Sequence, residues 1–157
     1  LGDVYKRQVK WLVWIDEQTG ETTKKRKSPR RGQPWDILYE LYQIKEFLCN
    51  PRLKLCVVLL ELEEYRSLNG WSTDKKRGST RYDRIPVGVS GEIHVDGPSD
   101  YGRLMPPGLE ARFTSREFQK ASGLSLSTSQ TALNVLYSVG AVRRVGKRGN
   151  RYVYEKE

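Results

Sequence analysis

The clearest pattern of apolar and polar positions lies in the C-terminal part of the chain, at residues 113–154. Thr114 followed by Glu117 has the spacing of a capping box, in which the side chain of each residue accepts a hydrogen bond from the backbone amide of the other. Gly123 stands where a left-handed residue ends many helices. The pattern therefore predicts a helix from Ser115 to Ser122.

A second predicted helix starts shortly afterwards. Ser127 and Gln130 again have the spacing of a capping box, and Gly140 follows as a stop signal. At about 100° per residue, the apolar side chains fall on one side of this helix; they are Ala132, Leu133, Val135, Leu136 and Val139. The opposite side is polar and is predicted to face outward; it consists of Gln130, Thr131, Asn134, Tyr137 and Ser138.

A predicted β-hairpin follows the second helix. Residues 141–145 and 151–154 are suited to strands, and the residues between them, 146–150, contain two glycines and an asparagine. Such residues between two strands are typical of a tight turn. The pattern places Lys147 and Arg148 at the tip of the hairpin.

The N-terminal half alternates between strand and helix patterns. Residues 11–15 are rich in β-formers, and residues 21–27 are predicted to return as a second strand. Pro34 suits the first turn of a helix, whose apolar positions are Ile37, Leu38, Leu41, Ile44 and Leu48. Leu53–Glu63 is predicted to be a central strand and 87–95 a further strand. The fold class is therefore α+β, with a small N-terminal α/β unit of hairpin, helix and central strand.

Glycine and proline pairs predict the domain boundaries, because they interrupt regular structure. Residues 97–98 and 105–108 contain such pairs. We therefore predict an N-terminal α/β domain at 9–97, a linker at 98–112 and a C-terminal domain at 113–157.

The first eight residues form a separate case. Residues 3–8 resemble the translation of a transposon end used to prepare sequencing libraries, and the chain begins with Leu rather than Met. We expect 1–8 to be an artefact of assembly. The N-terminal domain is accordingly expected to be truncated.

The C-terminal pattern resembles the DNA-binding half of the winged helix-turn-helix superfamily. The likeness depends on the run STSQTALNVL at 127–136 and on the run VGAVRRVG at 139–146. It implies that Ser127–Tyr137 is the recognition helix and that Lys147–Arg151 form the wing. The superfamily has a further helix before these two. Here, either Ser99–Leu104 supplies a short version of it or the preceding domain supplies the packing.

Charge supports a nucleic-acid partner. The formal net charge is +9 and the pI is about 9.6, and a surplus of cations favours polyanions. No apolar run approaches the roughly 20 residues that a membrane-spanning helix needs. The basic residues lie mainly in loops and in the hairpin, which argues against binding to a membrane surface. We expect a cytoplasmic protein that binds double-stranded DNA.

The binding hypothesis assigns roles to individual side chains. Three residues of the second helix are expected near base edges, namely Thr128, Thr131 and Asn134, with Asn134 suited to adenine. Gln130 is ambiguous between a base contact and the Ser127 cap, and we favour the cap, because an amide engaged in a cap is not free to read a base. Hairpin cations are expected at phosphates or in a minor groove; they are Arg144, Lys147, Arg148 and Arg151. Two further basic clusters are expected either to contact phosphates or to form solvated loops; they are Lys24, Lys25, Arg26 and Lys27, and Lys75, Lys76 and Arg77.

The sequence leaves other functions open. The expected role is that of a bacterial transcriptional regulator or of an accessory protein in DNA transactions, and a homodimer is compatible with it. One alternative is a metal-dependent nuclease of restriction-endonuclease-like type in the N-terminal half, with candidate carboxylates Asp16, Glu40, Glu61 and Glu63. The run ELE at 61–63 lacks the lysine of that pattern. Another alternative is a protein-interaction adaptor.

Two further observations concern the N-terminal half. The runs RKSP at 26–29, EEYR at 63–66 and RGSTRYDRIP at 77–86 resemble a family of uncharacterised bacterial proteins, and this likeness implies no activity. The chain has one histidine, His94, and two cysteines. We therefore predict no Cys/His zinc site. The DNA-binding hypothesis names no other metal and no cofactor.

Overall fold

The computed structural model describes the backbone of residues 2–29, 31–69 and 80–157, and the side chains of those ranges from residue 9 onward. Within these ranges the strands are β1 Gly2–Ile15, β2 Arg26–Lys27, β3 Leu55–Ser67, β4 Thr80–Val95, β5 Arg112–Thr114, β6 Val142–Arg148 and β7 Arg151–Lys156. The α-helices are α1 Ile37–Leu41, α2 Ser115–Ser122 and α3 Leu126–Ser138, and 3-10 helices span Pro34–Asp36, Tyr42–Phe47 and Pro98–Leu104. This is the predicted α+β class.

The larger sheet has the strand order β2-β1-β3-β4. β3 is an internal strand, as its apolar sequence predicted. β1 and β2 pair in antiparallel fashion, with Leu12 opposite Arg26, and an isolated bridge joins Ile15 to Thr22. The predicted N-terminal hairpin is therefore confirmed.

The smaller sheet has the strand order β5-β7-β6, and both of its pairings are antiparallel. The turn between β6 and β7 consists of Gly149 and Asn150, and Gly149 has a φ of 60°, which glycine adopts without steric cost. The hairpin is thus confirmed, but the predicted turn at 146–150 is wrong in extent. Because β6 continues to Arg148, Lys147 and Arg148 lie in a strand and not at the tip.

The prediction for α2 is confirmed to the residue. The helix spans Ser115–Ser122, Thr114 and Glu117 form the capping box, and Gly123 is left-handed with a φ of 71°. The apolar side of α3 is also confirmed, because the five predicted residues between Ala132 and Val139 are buried.

The predicted start of α3 is wrong. The N-cap is Ser125, whose side chain accepts a hydrogen bond from the backbone amide of Thr128 at 3.1 Å. Ser127 lies inside the first turn, so Gln130 has no cap to complete. The helix begins at Leu126, which is half-buried.

The helix predicted from Pro34 onward is broken into three short pieces. Ile37, Leu38, Leu41 and Leu48 are buried as predicted. Ile44 has a non-helical backbone, with φ −116° and ψ 15°, and its side chain is 42% exposed. The prediction that Ile44 is buried assumed a regular helix with 100° per residue, and the break at Ile44 interrupts that periodicity.

The chain divides into two compact units, and they do not follow the order of the sequence. One unit contains residues to Lys6, 34–58 and 92–157, and the other contains the described residues of 7–33 and 59–91. This division differs from the predicted domains 9–97 and 113–157. The stretch predicted as a linker, 98–112, contains a 3-10 helix with buried Tyr101 and Leu104.

The core of the first unit joins residues that are far apart in the sequence. α1 and the 3-10 helix Tyr42–Phe47 pack against α3. The indole nitrogen of Trp35 donates to the carbonyl of Ser122 at 2.9 Å, and the hydroxyl of Tyr101 donates to the carbonyl of Leu48 at 3.2 Å. The core includes Ile37, Leu38, Leu41, Leu104, Phe113, Phe118, Leu133, Leu136 and Tyr154. Residues 34–48 thus supply helical packing against α3.

In the part of the chain that is described, every helix is too short or too polar to cross a bilayer.

Candidate functional site

A polar groove lies between α3 and the β6–β7 hairpin, and we call it the α3–hairpin groove. It encloses about 310 Å³, and the residues that line it include Ser115, Gln130, Asn134, Arg144, Arg151 and Tyr152. Three short stretches of chain meet here, namely the start of α2, the outer side of α3 and the two hairpin strands. The groove therefore combines amide groups with guanidinium groups.

The three residues predicted near base edges all lie on α3 but already have hydrogen bonds. Thr128 Oγ1 is 2.8 Å from Ser125 Oγ. Thr131 Oγ1 donates to the carbonyl of Ser127 at 3.2 Å. Asn134 Oδ1 accepts from Lys45 Nζ at 3.0 Å. A ligand on this side of α3 meets groups whose positions are fixed by neighbours.

The capping role that the sequence favoured for Gln130 is wrong. Because Ser125 is the N-cap of α3, the amide of Gln130 is not part of a capping box. The side chain is exposed and lines the groove. Gln130 therefore presents a donor and an acceptor to solvent.

Arg144 lies over the aromatic rings that surround it. Its guanidinium carbon is 4.3 Å from the ring centre of Tyr137, 4.1 Å from that of Tyr152 and 5.8 Å from that of Tyr154. Lys147 Nζ is 5.2 Å from the ring centre of Tyr152. Cation–π attraction of this kind holds a guanidinium in a defined plane while it stays charged.

The cations of the hairpin differ in their partners. Arg143 and Arg112 both pair with Glu155, and their hydrogen bonds, that of Arg112 first, lower the pKa of Glu155. In the described part of the chain, no carboxylate pairs with Arg144, Lys147 or Arg151. Positive charge without a counter-charge is thus concentrated on the side of the hairpin that faces the groove.

Arg148 pairs with a carboxylate, but the pair is exposed to solvent. Its guanidinium is 3.2 Å from Glu117 Oε1, and both side chains are well exposed. The pKa of Glu117 is lowered, chiefly by the backbone hydrogen bond from Thr114 and to a lesser degree by Arg148. Glu117 therefore caps α2 and orients Arg148 at the same time.

The predicted basic cluster at 24–27 is partly engaged. Lys25 pairs with Glu63, and this contact raises the pKa of Lys25 and lowers that of Glu63. Lys27 Nζ is 5.4 Å from the ring centre of Trp11, while Lys24 and Arg26 are exposed. The second cluster, Lys75, Lys76 and Arg77, lies outside the described residues.

The four carboxylates of the nuclease alternative do not form a metal site in the described part of the chain. Asp16 accepts hydrogen bonds from the backbone amides of Gln18 and Thr19 at 2.8 and 3.2 Å, so it stabilises a turn. Glu63 is held by Lys25 and by the hydroxyl of Tyr65. Glu61 lies in β3 and Glu40 in α1.

Glu64 is a buried acid that the sequence analysis missed. Its side chain has no exposed surface, and Lys10, Arg66 and Arg84 approach its carboxylate to 3.2, 2.8 and 2.8 Å. Burial by itself raises its pKa, but the hydrogen bonds from Arg84, Arg66 and Lys10 lower it to about 2. Glu64 is therefore an ionised structural residue of β3.

Lys45 and the tyrosines around Arg144 were also missed as residues that line the groove or contact its lining. Lys45 reaches Asn134 across 89 positions of sequence, and no local pattern indicates such a contact. For Tyr152, the sequence did contain a signal, because side chains directly opposite each other in a hairpin interact across the strands; Lys147 is its partner in the β6–β7 register.

Among the comparisons with known proteins, a family match covers the N-terminal half of the chain. Residues 7–96, which are more than half of the chain, match a family described as a domain of unknown function, DUF8091. The chain matches no curated protein and no solved structure. Both α3 and the hairpin lie beyond the matched residues.

Proposed function

The chain belongs to the DUF8091 family, and for the part beyond the family match we propose binding of double-stranded DNA. We interpret residues 112–156 as a winged helix-turn-helix, with α3 as the recognition helix and the β6–β7 hairpin as the wing. The protein then acts as a transcriptional regulator or as an accessory protein in another DNA transaction. The observation that carries the proposal is the exposed polar side of α3 beside the unpaired cations of the hairpin.

The order of elements supports this interpretation. A short strand, two helices and a hairpin follow one another from β5 to β7, and the three strands form one sheet. Winged helices have an additional helix that packs on these two. Here the segment 34–48 packs against α3 and takes that role.

The size and chemistry of α3 suit a major groove. Its 13 residues give a length of about 20 Å, and a major groove about 12 Å wide admits one helix. Gln130 and Thr131 offer hydrogen-bonding groups on the outer side. We assign the adenine contact to Gln130 in preference to Asn134, because Asn134 Oδ1 already accepts from Lys45.

The charge of the C-terminal part supports a phosphate-rich partner. Residues 112–157 contain nine Lys or Arg against three Glu, which is a formal charge of +6. Arg144, Lys147, Arg148 and Arg151 flank the groove or lie on the hairpin beside it. Cations in such a position displace the counterions that are condensed on DNA.

The test is a titration of duplex DNA with the full chain at several salt concentrations. If the four hairpin cations contact four phosphates, log K against log salt has a slope of about −3.6. The double variant Lys147→Ala and Arg148→Ala removes two contacts and reduces the slope by about 1.8 units. A slope near zero for the unchanged chain contradicts the proposal.

The matched control is the double variant Arg112→Gln and Arg143→Gln. It removes the same charge from the same sheet, but both residues pair with Glu155. The slope of this variant is expected to stay within about half a unit of that of the unchanged chain. Equal effects of the two double variants would indicate attraction by net charge alone, without docking of the hairpin.

A further inference from the structure

Two adjacent strands bring three metal-binding side chains together outside the α3–hairpin groove. Cys56 lies in β3, and Glu92 and His94 lie in β4. One ligand atom from each lies within 4.8 Å of the others, and His94 Nε2 is 3.4 Å from Glu92 Oε2. The sequence offers no sign of this group, because the cysteine is 36 residues away from the nearer of its two partners.

Strand alternation explains why these three side chains share one face of the sheet. Successive side chains of a strand point to opposite faces. Leu55 and Val57, on either side of Cys56, are buried in the core, and so is Val95, which follows His94. Cys56, Glu92 and His94 therefore all lie on the face opposite the core.

We propose that Cys56, Glu92 and His94 form a binding site for a divalent transition metal of the zinc class. A thiolate, an imidazole and a carboxylate are the three ligand types that zinc accepts in proteins, whereas Mg²⁺ and Ca²⁺ prefer oxygen alone. Three protein ligands leave the fourth tetrahedral position to a water molecule.

The geometry is close to what a tetrahedral ion requires. With bonds of about 2.0–2.3 Å, the ligand atoms of such a site are about 3.4–3.6 Å apart. The distance between His94 and Glu92 already has this value, and the other two, which are at most 4.8 Å, need to shorten by no more than about 1.4 Å. The side chains of His94 and Glu92 are 60% and 51% exposed, so they are free to rotate, and an ion has access from solvent.

Two contacts lie directly beside the proposed site. Arg103 donates to the main-chain carbonyl of His94 at 3.2 Å, and Lys54 pairs with Asp96 at 3.6 Å. Neither contact uses a ligand atom of the site. An ion bound here joins β3 to β4 directly, so the proposal predicts that the metal stabilises their pairing.

The experiment uses Co²⁺ as the probe on the full chain after treatment with a chelator. Binding of one Co²⁺ is expected to produce a thiolate-to-metal charge-transfer band, which Zn²⁺ then abolishes by displacement. Cys56→Ser is expected to remove the band, and His94→Gln to weaken Co²⁺ binding at least about tenfold. Since His94 is exposed, His94→Gln is expected to fold even if Cys56→Ser does not.

The matched control is Cys49→Ser, because Cys49 is the only other cysteine and its thiol faces the carbonyl of Ser138. This variant is expected to keep the band. A band that survives Cys56→Ser in a folded protein, that disappears in Cys49→Ser or that never forms at millimolar Co²⁺ overturns the proposal. So does unchanged affinity in His94→Gln.

Discussion

Glu64 is a carboxylate of β3 without exposed surface, and four cations from β1, β3 and β4 surround it. A buried charge without a partner costs several kcal/mol, whereas a charge held by several donors is tolerated. Arg84 and Arg66 each donate a hydrogen bond to it at close range. The ionised form of Glu64 is therefore the form that its surroundings stabilise.

The pKa of Glu64 leads to a prediction about acid stability. Its value of about 2 lies below the ordinary value of 4.5, so the stabilisation is present above pH 4.5 and is lost as the pH falls towards 2. Glu64→Gln is expected to lower the free energy of unfolding by about 3 kcal/mol at pH 7. Between pH 7 and pH 3, urea denaturation should show a smaller loss of stability for the variant than for the unchanged chain.

A control variant separates this effect from a general effect of charge. Glu61→Gln makes the same chemical change three residues earlier in β3 and is expected to leave the pH dependence of unfolding as it is. If Glu64→Gln and the unchanged chain lose the same stability between pH 7 and pH 3, the ionised carboxylate is not what the cations stabilise.

At the scale of single elements, the two helix caps show which helix ends can be predicted from local sequence. Thr114, Glu117 and Gly123 define α2 without help from the rest of the chain, because capping and a left-handed stop are local interactions. The start of α3 was predicted at the wrong serine, because Ser127 and Gln130 have the spacing of a capping box. The side chain that accepts from an amide of the first turn is that of Ser125, and the helix begins one residue later at the half-buried Leu126.

The N-cap of α3 gives the second prediction. Ser125→Ala removes the acceptor for the amide of Thr128 and is expected to destabilise the protein by about 1 kcal/mol. Ser127→Ala is the matched control, and its effect should stay within about 0.5 kcal/mol, as for other exposed positions. Urea denaturation of both variants measures the difference. A larger loss for Ser127→Ala would restore Ser127 as the cap.

On the scale of the whole molecule, distant parts of the chain form the core of the first unit. The contacts of Trp35 with Ser122 and of Lys45 with Asn134 span 87 and 89 residues. Sequence periodicity detects which side of a helix is apolar, but it contains no information about the partner that covers it. The domain boundaries at 97 and 113 were predicted from glycine and proline residues alone. That pattern contains no information on the packing of 34–48 against α3.

This packing predicts that α3 depends on a helix far upstream of it. Leu41 is 2% exposed and belongs to the same core as Leu133, so Leu41→Ala is expected to cost about 2–5 kcal/mol. If α3 opens together with that core, hydrogen exchange of its amides accelerates at least about 30-fold. The exposed Ile44 is the control, and Ile44→Ala should leave exchange nearly unchanged. Unaltered protection of α3 in Leu41→Ala would mean that residues 113–157 are stable by themselves, as the glycine and proline pattern predicted.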